Sequence, residues 1–87
     1  MAANILHRIA LDAEGLNDPE SVRLTEHERE CLTWAALGKT DEDIATILGI
    51  LRWTVVAHFQ SAKFKLKSLN RTGAVAAALR IGAISVD

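Results

Sequence analysis

The tightest constraint in this chain lies between residues 44 and 55, where a small residue, a glycine and four apolar side chains are spaced for two short helices crossing at a tight turn. Ala45 is small enough to sit where the helices cross. Gly49, four positions later, can take the left-handed backbone conformation that ends one helix and redirects the chain. Ile44, Leu48, Ile50 and Val55 are placed to wedge the second helix against the first. The segment therefore reads as a helix-turn-helix unit, and the rest of the chain must supply the helices that bury its open sides.

Three further helical segments are expected. Thr25-Glu26-His27-Glu28 is a capping box, in which the Thr25 hydroxyl accepts from the Glu28 N–H and the Glu28 carboxylate reaches back to the Thr25 N–H. The helix that starts there would bury Cys31, Leu32, Ala35 and Ala36 and end at Leu37-Gly38. Thr40 caps the first helix of the central unit, with Asp41, Glu42 and Asp43 in its first turn and Ile44, Ala45, Ile47 and Leu48 on its buried side. The second helix of the unit should run from about Trp53 to Lys67 with Val55, Phe59, Ala62 and Leu66 facing inward. Asn70 caps a last helix from Arg71 to about Ile81, closed by Gly82. Ahead of these, residues 4–16 show amphipathic helical spacing, and Gly15 to Ser21, with the only proline, reads as a linker. The expected organisation is an all-α, four-helix domain over residues 24–87, preceded by a helix and linker over residues 1–23. No run of strict apolar alternation suggests a sheet.

Eighty-seven residues allow one small core and no deep substrate cleft. The net charge of −1 conceals a strong polarity. Residues 1–43 carry ten acids and four bases, whereas residues 44–86 carry six bases (Arg52, Lys63, Lys65, Lys67, Arg71, Arg80) and no acid. A clustered positive face of this kind suits a polyanion such as nucleic acid, whatever the net charge.

Enzymatic and metal chemistry have little to stand on. Cys31, the single cysteine, excludes an internal disulfide and falls on an apolar stripe, where it reads as a buried small hydrophobe. His7, His27 and His58 have no metal-ligand spacing, and Glu28 and Glu30 lack a nucleophile or base partner. His7 and His27 read as surface residues, and His58 as a packing residue on the flank of its helix. No cofactor and no metal are expected. The first residues make a poor signal peptide, and no apolar run approaches the ~18 residues of a membrane span, so the expected location is the cytoplasm, without a membrane partner.

Leu24-Thr25-Glu26-His27-Glu28-Arg29-Glu30-Cys31-Leu32, followed by Gly38-Lys39-Thr40, Ile44-Ala45, Leu48-Gly49-Ile50, Thr54-Val55, His58, Lys65-Leu66 and Asn70-Arg71-Thr72, resembles the LuxR-type DNA-binding domain from residue 24 to about 84. Residues 1–23 resemble the closing helix and linker of the ligand-binding domain that precedes this module in quorum-sensing members. The resemblance implies a transcriptional regulator whose third helix enters the major groove and whose fourth helix pairs two copies on a two-fold symmetric operator. A small-molecule signal would act only through an N-terminal domain outside this chain.

The helical period agrees with that placement. With Val55 facing the core and about 100° per residue, Trp53, Val56, Ala57, Gln60, Phe64 and Lys67 fall on the opposite half of the helix. Arg52, Lys63, Lys67 and Arg71 flank them as phosphate contacts, Thr40 sits at a helix N-terminus where a phosphate can be met, and Thr54 and Ser61 complete the expected DNA-contacting set. Gly73, Ala76, Ala77 and Arg80 form the expected dimer face, with Val75, Leu79 and Ala78 toward the core. The chain departs from the family where a base often stands at Val56 and Phe64, and where a serine usually caps the third helix at Leu51. Val56, Ala57 and Trp53 are then suited to thymine methyls and Gln60 to adenine, giving an A/T-leaning half-site. Two other readings remain open at this level: a protein-interaction module that kept the fold but lost DNA affinity, and a sigma-factor promoter-recognition domain.

Overall fold

The computed structural model describes residues 22–86; the helix expected over residues 4–16 and the linker up to residue 21 lie outside the described residues. Four helices follow in order: α1 (Glu26–Ala36), α2 (Asp41–Leu48), α3 (Arg52–Lys65) and α4 (Arg71–Arg80). Among the described residues there is no strand, as the apolar spacing predicts.

Local chemistry sets each boundary. Thr25 and Glu28 form the capping box of α1, with Glu28 N–H donating to Thr25 Oγ1 at 3.1 Å and Thr25 N–H to Glu28 Oε1 at 2.9 Å. Thr40 and Asp43 repeat it on α2, and Asn70 Oδ1 accepts from Gly73 N–H at 2.8 Å to cap α4. Leu51 precedes α3 with no side-chain cap, as expected of an apolar residue there. Gly49 is left-handed (φ 69), which turns the chain between α2 and α3.

The end of α3 departs from expectation. The helix stops at Lys65, two residues early, because Lys67 adopts φ 54. Ser68 N–H then donates to Lys63 O at 2.9 Å and Lys67 N–H to Phe64 O at 3.2 Å, the paired bonds of a Schellman closure. With a lysine where glycine usually stands, no residue marks this stop in the sequence.

Helix α3 is the central element and packs against the other three. The core joins Cys31 and Leu32 of α1, Ile44 and Ala45 of α2, Val55, Phe59 and Ala62 of α3, and Ala74 and Ala78 of α4. Leu48, Ile50 and Leu66 pack on its edge, so the wedges around Gly49 hold α3 against α2 as the spacing requires. Ile47, expected inside, is exposed because the eight-residue α2 presents only Ile44, Ala45 and Leu48 to its neighbours. Beyond α4 the chain folds back, with Ala83 N–H bonded to Ala78 O, and Ile84 closes the core.

Candidate nucleic-acid interface

Helix α3 has one buried and one exposed side. Val55, Phe59 and Ala62 point inward, and on the other side Trp53, Ala57, Gln60 and Phe64 are exposed, with Val56 half-buried. Trp53 is 72% accessible and Phe64 86%. The α3 sequence contains no acid. Arg52 lies over the Trp53 ring, 5.2 Å from its centroid, so one cation and one aromatic share the start of the helix. Lys63 is in the last turn of α3 and Lys67 just beyond it, exposed on its left-handed backbone.

Two other basic groups, Lys65 and Arg71, pair with acids of the domain. Lys65 Nζ donates to Glu28 Oε1 at 2.8 Å and to the Arg23 carbonyl at 2.9 Å. Glu28 is 2% exposed. Burial pushes its carboxyl up, but the hydrogen bonds from Lys65, Ser61 and Thr25 together outweigh burial and hold it below its ordinary value. A single carboxylate thus caps α1 and ties it to the end of α3. Arg71 pairs with Asp41 and lies 4.0 Å from the centroid of the Phe59 ring, a stacked arrangement suited to a planar guanidinium.

This geometry is that of a helix-turn-helix with its second helix presented outward, and the description "Bacterial regulatory proteins, luxR family" (GerE) matches residues 22–78. The chain belongs to the luxR family. It is 50% identical over 84 residues to the quorum sensing-dependent transcriptional regulator VjbR of Brucella abortus (strain 2308), covering 97% of this chain and 32% of that protein. It is 52% identical over 62 residues to the quorum sensing-dependent regulator RpaR of Rhodopseudomonas palustris, covering 71% of this chain and 26% of that one. Against the transcriptional activator LuxR of Aliivibrio fischeri the identity is 41% over 68 residues, covering 78% and 27%. The chain therefore spans about a third or less of the length of these luxR-family relatives. A solved structure of the transcription factor GerE superposes with a TM-score of 0.70 at 33% identity, over 74% of this chain and 96% of that one. The four-helix fold and the LuxR-type resemblance of the motifs are thereby confirmed, and the relatives are transcriptional regulators rather than enzymes.

The luxR-family fold sorts the expected site residues. It brings Arg52, Trp53, Val56, Ala57, Gln60, Lys63, Phe64 and Lys67 to one side of α3 or its ends, with Thr54 half-buried beside them. Ser61 is turned toward Glu28 of α1. Arg71, expected as a phosphate contact, pairs with Asp41 and stacks on the Phe59 ring while 38% of its side chain stays exposed. Thr40 is a cap: its hydroxyl is engaged by Asp43 N–H, and Asp41, Glu42 and Asp43 fill the first turn of α2 with charge that repels a phosphate. On α4 the inward face is Ala74, Ala77 and Ala78. Ala77, only 6% exposed, is corrected from the dimer face to the interior, and Leu79 moves the other way, 41% exposed. The smallness of Gly73 has a local reason, since an added Cβ would lie 3.3 Å from the capping Asn70 Oδ1.

Sequence reasoning missed the Glu28–Lys65 and Asp41–Arg71 ties, whose partners are 37 and 30 residues apart. Acids in the first turns of α1 and α2 were legible as caps, but nothing local tells which distant base each one meets. His58 is a packing residue as expected, and its ring meets that of His27 edge-on with centroids 5.0 Å apart. Burial pushes the Cys31 thiol up to about 11, consistent with a buried hydrophobe.

Proposed function

We propose that this chain is the DNA-binding part of a quorum-sensing transcriptional regulator, with α3 as the helix that enters the major groove. The observation that carries this reading is the outward face of α3: exposed at Trp53, Ala57, Gln60 and Phe64, free of acids, and bordered by Arg52, Lys63 and Lys67. Those three cations hold phosphates while Trp53, Val56, Ala57 and Gln60 meet base edges and Phe64 extends the same face. Residues 1–23 are the end of a preceding domain, through which a small-molecule signal acts, and residues 24–87 are the DNA-binding module. The names of VjbR and RpaR, both quorum sensing-dependent, support that context. The domain works as a homodimer on a two-fold symmetric operator in the cytoplasm. Its dimer face on α4 consists of Ala76, Leu79 and Arg80, all exposed; Ala76 and Leu79 also line a shallow groove with Ala35, Ala36, Thr72 and Val75.

Selection from random-sequence duplexes at low and moderate salt tests the reading. Enrichment of a palindrome, with log affinity falling against log salt by about 2.7 per bound protomer for three phosphate contacts, is the expected result. No binding to any duplex even at low salt would overturn it.

A further inference from the structure

We propose that the domain recognises its site chiefly by the 5-methyl groups of thymine, and so reads 5-methylcytosine as it reads thymine; this rests on the reading of α3 as the DNA-contacting helix. At about 100° per residue, Trp53, Ala57, Gln60 and Phe64 fall on one line along α3, within an arc of about 60°. All four are exposed. The line is roughly 16 Å long at 1.5 Å per residue, close to five base-pair steps. Ala57 and Phe64 carry no hydrogen-bonding group, Trp53 has a single donor on a large ring, and Gln60 supplies the one amide. The charged groups of α3 lie to the side of this line or at the helix ends.

An exposed apolar line of this size on a small domain needs an apolar counterpart. In the major groove one group on the base edges meets that need, the thymine C5 methyl; the others are donors and acceptors that a Phe or Ala cannot answer. The charge of α3 suits DNA: the helix holds bases and no acid, as contact with phosphates on either side of the groove requires. Uracil lacks the methyl and 5-methylcytosine carries it at the same ring position, so the recognised group can be removed or added without altering base pairing.

The test uses the 87-residue chain and the duplex enriched by selection. Replacing thymine with uracil in the half-sites should weaken binding about fourfold for each methyl contacted, the worth of roughly one buried methyl group. Where cytosine in place of a selected thymine weakens binding, 5-methylcytosine should recover a similar factor. Trp53→Ala and Phe64→Ala, at exposed positions where circular dichroism should show an intact fold, should shrink the uracil penalty. Equal affinity for thymine and uracil duplexes, with sequence selection retained, would overturn methyl reading while leaving DNA binding standing. Absence of binding to every duplex at low salt would overturn the DNA reading itself, and this proposal with it.

Discussion

Glu28 and Lys65 offer the sharpest test of how α3 is held. Glu28→Gln keeps a side-chain oxygen for the Thr25 N–H but removes the charge that Lys65 meets. Lys65→Met leaves the carboxylate of Glu28, with 3% of its side chain exposed, without its cation. Breaking a fully buried pair from one side costs about 3–5 kcal/mol. Lys65 keeps 31% of its side chain in water, so the loss on Lys65→Met should be smaller, about 2 kcal/mol. A domain of this size has a total stability of about 3–10 kcal/mol, and each 1 kcal/mol moves Tm by about 4–8 °C. Tm should therefore fall by roughly 8–16 °C. Glu28→Gln should cost less, because a neutral amide is cheaper to bury than an uncompensated charge. The double variant should recover at least about 1 kcal/mol of the summed losses. Urea denaturation followed by tryptophan fluorescence reads all three, since Trp34 packs against the core. Acid provides an independent measurement. The folded Glu28 carboxyl is held below its ordinary value of 4.5, so its contribution is complete above that unfolded value and is lost as pH falls through the folded one. Wild type should lose stability over that range, and Glu28→Gln should lose less. Additive single losses, or identical acid profiles, would refute the claim that this ion pair anchors α3.

Other outcomes follow from the same contacts. Arg71→Lys, which keeps the charge but loses the flat guanidinium on Phe59 and Asp41, should destabilise the domain by about 1 kcal/mol in thermal melts and leave the salt slope of DNA binding unchanged. Lys67→Gly should relieve the left-handed backbone and stabilise by roughly 1 kcal/mol, while reducing the salt slope of DNA binding by about 0.9 through one lost phosphate contact. Cys31 should resist thiol reagents at pH 8 under native conditions and react at the rate of global unfolding, as followed by stopped-flow labelling.

What was legible in the sequence rests on interactions of short range. The capping boxes at Thr25 and Thr40 and the Asn70 cap join groups three residues apart. The glycines at 38, 49 and 82 all take positive φ. The inward stripe of α3 follows from helical period alone, and its opposite face was therefore legible as well. The luxR-family motifs lie on this same framework of caps, turns and wedges, which is why the family could be named from them.

Tertiary structure decided which of two nearly equivalent faces each weakly patterned helix buries. Helix α4 is alanine-rich on all sides, so its apolar pattern barely distinguishes Ala77 from Ala76 or Leu79; packing against α1 and α3 turned Ala77 inward and left Leu79 outside. It also decided the fate of the basic residues. No local pattern shows that Lys65 and Arg71 reach acids 37 and 30 residues away while Lys67 stands exposed. Sequence by itself determined the helices, their ends except that of α3, and the helix that is presented. The fold determined which of its cations and apolar groups remain available to a partner, because long-range pairing depends on where helices cross and is written in no local pattern.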